Sequence, residues 1–338
     1  MSKIKRNGTK PQVLSAREAV EYIADQDTVA VSGAGGGIVD PYALINALHE
    51  RYVETGCPKN LTLWHSTGLG DRNDRGMSPL ALEGLVKRVI GGHWGQSPRL
   101  AEMASENKIE AYNFPQGIMA QLARTAAAGQ PGILSHVGLG TFIDPRVSGG
   151  KLNEVTKEDL IKVMNVDGKE WLYYPVVPLD VCLIRATTAD TEGYASMEEE
   201  ITYIDVLQLA QAVHNNGGTV ILQVKRLVKA GTLHPKSVKI PGFLVDAIVV
   251  EEKQEQLYNG SDRFFSGDYI ADDSAVTMLP LDQRKVVARR ALMEVRPGYV
   301  GNVGVGIADG IGNVAREEGV QDAFTLTVET GPVGGATA

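Results

Sequence analysis

One pattern occurs twice in this 338-residue chain. Thr28–Val31 is an apolar, β-branched run that enters Gly33-Ala34-Gly35, and a helical stretch leads on to Leu61-Thr62-Leu63-Trp64 and Ser66-Thr67-Gly68. Much later, Tyr299–Val303 enters Gly304-Val305-Gly306, and another helical stretch leads to Phe324–Val328 and Glu329-Thr330-Gly331. Residues 28–35 pair with 299–306 at a constant offset; residues 61–68 pair with 324–331 after an eight-residue shortening. Each copy reads strand, Gly-x-Gly turn, helix, strand, Thr-Gly turn. Two strands joined by a helix run parallel, with a right-handed crossover, so the repeat predicts two similarly built α/β domains.

The rest of the chain agrees. Val181–Ala186, Thr219–Val224 and Phe243–Val250 are near-continuous apolar runs, as expected of strands covered on both faces. Ser15-Ala16-Arg17-Glu18 reads as a capping box ahead of a helix, and Asp205–His214 reads as a helix stopped by Asn215-Asn216-Gly217-Gly218. A further helix is expected to open near Asp40-Pro41, with Pro41 at its first position, and another to span Asp282–Val295. The expected fold class is α/β: two open domains with mainly parallel sheets. The expected organisation is a polar arm over 1–12, a first domain over 13–278 and the start of a second over 279–338, with the boundary in the polar stretch Tyr258–Leu279. The chain ends nine residues beyond Glu329, long before copy two matches the length of copy one. The second domain is therefore expected to be incomplete, its remainder lying in a longer polypeptide or a second chain.

Composition narrows the function classes. Net charge is −8, which speaks against a nucleic-acid-binding surface spread over the protein. No apolar run approaches the ~18 residues a membrane span needs, and the N-terminus lacks a signal-peptide core, so the expected compartment is the cytoplasm. Two cysteines, Cys57 and Cys182, exclude a disulfide framework and a CxxC motif; Cys182 reads as core. The six histidines show neither HxxxH nor HExxH spacing, so no metal site is expected. Gly makes up 38 residues, well above the ~7% norm, and gathers in short loops where ligands approach backbone.

Parallel sheets bind ligands beyond the carboxyl ends of their strands, where both Gly-x-Gly turns and both Thr-Gly turns fall. Copy one carries Ser66 where copy two carries Glu329. By position, Glu329 reads equally as a reactive carboxylate and as a solvated one. Gly33–Gly37, with a helix start behind it, reads equally as an oxyanion site and as a tight turn. A dinucleotide fingerprint is incomplete: Ile38 and Asp309 stand where its third glycine belongs, which weakens a nucleotide-dependent oxidoreductase. Gln116 follows a short apolar stretch and is placed to offer an amide to a cleft; His93 reads as a structural loop residue before it reads as one lining a cleft. Lys151–Asp159 and Glu198-Glu199-Glu200 read as solvated charge.

Taken in order, a set of motifs resembles the N-terminal part of the family I coenzyme A transferases, of the single-chain acetate or propionate type. They are Ser32-Gly33-Ala34-Gly35-Gly36-Gly37, Glu83–Lys87 with Gly92-His93-Trp94, and Ala111–Gly117. They continue with Gly138–Arg146, Gly149-Gly150-Lys151, Lys229–Leu233, Asn302–Ile307 and Thr327–Gly335. The resemblance covers essentially the whole chain. It implies exchange of CoA between a short-chain acyl-CoA and a free carboxylate such as acetate or propionate, through a glutamyl-CoA thioester on Glu329. It implies that Gly35, Gly36, Gly37, Gln116 and Gly117 face the acyl group or its oxyanion, and that Gly301, Asn302, Val303, Gly304 and Val305 contact CoA. CoA is then a substrate; no resident cofactor, nucleic acid or membrane partner is implied, and a homo-oligomer is. The chain stops before the family's second glycine-rich stretch. Other readings kept open are an acyl-CoA hydrolase on the same scaffold, a small-molecule sensor domain and an inactive fragment.

Overall fold

A computed structural model describes residues 10–269, 278–304, 306–329, 331, 333 and 334. The chain divides into two compact units, Met1–Ser266 and Gly267–Ala338.

The first unit runs β1 (Gln12–Leu14), α1 (Ala16–Val20), β2 (Thr28–Val31), α2 (Tyr42–Thr55), β3 (Leu61–His65), β4 (Val86–Gly91), α3 (Pro98–Ser105), β5 (Glu110–Asn113) and α4 (Gln116–Ala127). It continues β6 (Gly132–Ser135), β7 (Lys162–Val166), β8 (Lys169–Pro175), β9 (Val181–Asp190), β10 (Ala195–Ser196), α5 (Val206–Asn215), β11 (Thr219–Val228), β12 (Val238–Ile240) and β13 (Ala247–Val250). A ten-stranded sheet has the order β1-β13-β11-β9-β2-β3-β4-β5, with β10 beside β9 and β12 beside β10. Every pairing along the main path is parallel; β10 is antiparallel to both its neighbours. This is the α/β fold with a mainly parallel sheet.

The strands read as unbroken apolar runs because alternate residues enter two different cores. Ala30, Trp64, Cys182, Ile184, Val220 and Leu222 pack with α4 and α5 on one face. Val29, Val31, Leu63, Leu183, Ile221 and Val249 pack with α1, α2 and α3 on the other. Antiparallel β6, β8 and β7 form a separate three-stranded sheet.

Several expectations shift. The Ser15 capping box forms, with Glu18 returning a bond to the Ser15 N–H. Gln12, assigned to the polar arm, instead opens β1 and pairs with Ala247; residues 1–9 lie outside the described residues. Pro41 is the cap of α2 rather than its first residue. Strand β13 begins at Ala247, because Gly242–Leu244 makes a turn of 3-10 helix first. The Lys151–Asp159 segment is not plain solvated charge: Thr156 is buried and donates to Asn153 Oδ1 at 2.5 Å, while Lys151 pairs with Asp159. Glu200 is buried, which corrects the reading of the 198–200 run.

The second unit contains α6 (Gln283–Leu292), β14 (Val300–Val303), α7 (Gly310–Glu317) and β15 (Thr325–Val328). β14 and β15 pair in parallel, Val303 opposite Val328, with α7 between them in sequence. The buried cluster here is Ala288, Leu292, Val314 and Ala315. Copy two of the repeat thus has the same local topology as β2-α2-β3, with its register moved by one residue.

Candidate functional site

In the first unit the loops after β2, β3, β4 and β5 gather beyond the carboxyl ends of these parallel strands. Glycine lets them approach. A Cβ on Gly70 (φ +139°) would fall on the Gln96 carbonyl, and one on Gly92 would fall on the Ser66 carbonyl. The first two loops are zipped together: the Gly36 N–H donates to Gly70 O at 2.8 Å and the Thr67 hydroxyl donates to Gly33 O. His65 is buried, which lowers its pKa to about 4; the neutral ring bonds Thr67 O through Nδ1 at 2.6 Å.

Beneath these loops lies Asp205, immediately before α5. It is fully buried, and burial raises its pKa against the opposing effect of two serine hydroxyls. Ser32 donates to its Oδ1 at 2.7 Å and Ser66 to its Oδ2 at 2.5 Å. Ser66, Thr67, Gln116, Gly117, Arg124, Asp205 and Gln208 help line a cavity of about 340 Å³. Gln116 and Gly117 stand at the first turn of α4, so the pair expected to face an acyl group does border a cavity.

The glycine loop behaves differently from the expectation. Gly36 has neither backbone group to offer in this conformation: its N–H is held by Gly70 O, and its carbonyl accepts from Tyr258 N at 2.9 Å. Gly37 borders a second cavity of about 360 Å³, with Tyr42, Arg75, Arg185 and Tyr258 among its walls. Arg185 is buried there and makes a bidentate pair with Glu200 at 3.0 and 2.9 Å; it also donates to the carbonyls of Gly37 and Asp40 at 3.2 Å.

Glu329 belongs to the second unit. It is the first residue after β15, its N–H donates to Val303 O at 3.0 Å, and its side chain is exposed. Gly301, Asn302 and Val303 form the end of β14 directly beside β15, with Asn302 donating to Thr327 Oγ1 at 3.0 Å. Gly304 follows them; Val305 lies outside the described residues.

A family profile described as coenzyme A transferase matches residues 13–251. The chain belongs to the coenzyme A transferase family. The chain is 62% identical over 334 residues to the acetate CoA-transferase YdiF of Escherichia coli K12, covering 98% of itself and 63% of that protein. It is 40% identical to a caffeate CoA-transferase of Acetobacterium woodii, again covering 63% of that protein. It superposes with TM-score 0.95 on the acyl-CoA transferase YdiF of E. coli O157:H7 in a thioester complex with CoA, at 60% identity over 99% of this chain and 65% of that one. The chain thus spans less than two thirds of the length of each of these relatives.

Motif reasoning named Glu329, Gln116 and the strand ends as candidates. It did not single out Asp205, Ser32 or the Arg185–Glu200 pair. Ser66 and Ser32 lie 139 and 173 residues from Asp205, and Glu200 follows Arg185 by 15 residues across a chain reversal, so no local spacing marks these contacts.

Proposed function

We propose that this chain carries the nucleophile of a CoA-transferase that exchanges CoA between a short-chain acyl-CoA and a free carboxylate such as acetate or propionate. The observation that carries the reading is Glu329, a carboxylate at the very end of a parallel strand and beside the end of its neighbour, in a chain of this family. The thioester complex of the 60%-identical relative supports it.

The Glu329 carboxylate attacks the thioester carbonyl; the C–S bond breaks, leaving a mixed anhydride and CoA thiolate. The thiolate attacks the glutamyl carbonyl, forming glutamyl-CoA and releasing the first acid. A second carboxylate attacks glutamyl-CoA, giving a new anhydride and thiolate, and the thiolate then takes the new acyl group and frees Glu329. An ionised carboxylate is the nucleophile. Each tetrahedral intermediate needs donors, and one lost donor costs about 3–4 kcal/mol of transition-state stabilisation. Gln116, Gly117, Gly35 and Gly37 are assigned to the acyl group and its oxyanion. Gly301, Asn302, Val303 and Gly304 are assigned to CoA, whose remote contacts drive the chemistry. CoA is a substrate, and the scheme uses no resident cofactor. A homo-oligomeric assembly and a cytoplasmic location accompany this reading.

The test is mass spectrometry of the full-length protein incubated with acetyl-CoA. A CoA adduct on the Glu329 peptide is expected, together with loss of about a thousandfold in kcat/KM in Glu329→Gln. Turnover with that peptide unmodified rejects the nucleophile, and CoA released without an acceptor acid identifies a hydrolase instead.

A further inference from the structure

Asp205 occupies the cap position of α5, yet its side chain makes no capping bond. Both of its oxygens are taken by hydroxyls from other elements, Ser32 just past β2 and Ser66 just past β3. All three side chains are buried. Burying an acid is costly unless it is hydrogen-bonded, and here both bonds go to residues at two neighbouring strand ends. From Ser66 the restraint runs on: Thr67 is held by His65 and in turn holds Gly33, so the ends of β2 and β3 move as one piece. Asp205 and Ser66 also border the cavity that Gln116 and Gly117 border, and Gln208 reaches it from the first turn of α5.

We propose that Asp205 is a positioning residue of this cavity, holding Ser32 and Ser66 so that the Ser66–Thr67 wall stands at a fixed distance from Gln116. This rests on the reading that the short acid enters that cavity. The clamp acts through Ser66; Asp205 is not assigned a bond to substrate. A loosened wall misplaces the reacting carbonyl more than it weakens binding of the distant CoA.

The experiment compares wild type, Asp205→Asn, Ser66→Ala and the double variant of the full-length protein, with propionate as acceptor and acetyl-CoA as donor. Expected is a fall in kcat of about tenfold or more in each single variant, KM for acetyl-CoA within about twofold of wild type, and a double variant no worse than the poorer single. A role limited to folding would lower the unfolding midpoint and leave kcat unchanged at temperatures where the variant is fully folded; that result overturns the proposal. Additive losses in the double variant overturn it too. If Asp205→Asn does not fold, Ser66→Ala carries the test alone. Propionate binding, followed by NMR line broadening, is read in the same proteins. If wild type binds propionate without transferring CoA, the functional reading fails, and weakened binding by about tenfold in Ser66→Ala still supports the clamp. In that case, unchanged binding in both single variants overturns the clamp, as does a wild type that neither transfers CoA nor binds propionate.

Discussion

Arg185 and Glu200 are both almost fully buried, and a lone charge in either position would be expensive. They are compensated twice over: by each other, and by the carbonyls of Gly37 and Asp40 for the guanidinium and the Gln254 amide (3.1 Å) for the carboxylate. The pair ties β9 to the glycine loop. Asp40, close by, is less well served. The Tyr258 hydroxyl donates to Oδ2, while Oδ1 has no hydrogen-bond partner among the described residues. Burial raises its pKa from 3.8 to about 6, against the opposing pull of Tyr258 and Arg185. The neutral acid is therefore the form the fold prefers. Its stabilisation is fully present below pH 3.8, where both states are protonated, and is lost as pH rises through about 6. Asp40→Asn has no such titration. The stability of wild type relative to Asp40→Asn is expected to fall by roughly 2 kcal/mol between pH 4.5 and 8, measured by urea unfolding. A difference that does not change with pH contradicts the buried, neutral acid.

At the scale of elements, the carboxyl end of the sheet depends on loops packed backbone to backbone. Gly70 carries a φ of +139°, which side chains rarely adopt, and it lies against Gln96 O while accepting from the Gly36 N–H. Gly70→Ala must displace one of these backbones, so a loss of about 2 kcal/mol or more is expected. Gly129→Ala, with φ +67° but open space around it, should cost only about 1 kcal/mol. Denaturation midpoints of the two variants check the contrast; equal losses would mean that close approach at Gly70 does not matter. The elements legible in the sequence were those whose pattern is local. β2 was read with its observed bounds and β3 one residue short, because both faces are buried and the apolar run is unbroken. β9 extends four residues past the predicted Ala186, through Thr187, Thr188, Ala189 and Asp190. Its polar end is a strand only because β10 and β11 pair with it, which no local propensity reports. The β6-β8-β7 sheet was missed because its strands are mixed in polarity and mostly only partly buried, so no unbroken apolar run marks them. In the candidate site, Gln116 was named from its turn after a short apolar stretch and from the family motif; Asp205 was not, since a lone acid before a helix looks like an ordinary cap.

The two units bury very different amounts of apolar surface. In the first, β9 is buried along its whole length and paired with β2 and β11, and two cores cover the sheet. In the second there are two short parallel strands, α6 and α7 share one small cluster, and Leu281, Met293 and Val300 remain at least 71% exposed. Two-stranded sheets are marginal by themselves, and opening costs follow the burial that opening undoes. The Lys285–Glu317 pair at 2.5 Å, with Lys285 also donating to Leu279 O, gives α6 and α7 a polar tie but adds little apolar burial. Hydrogen exchange on this 338-residue chain should therefore separate the units. Amides of β9 and β11 are expected to exchange only through opening of the whole first unit, while those of β14 and β15 exchange at least about a hundredfold faster through local opening. Equal protection in the two sets of strands would mean that the second unit does not open independently, and that its stability comes from something other than its own core.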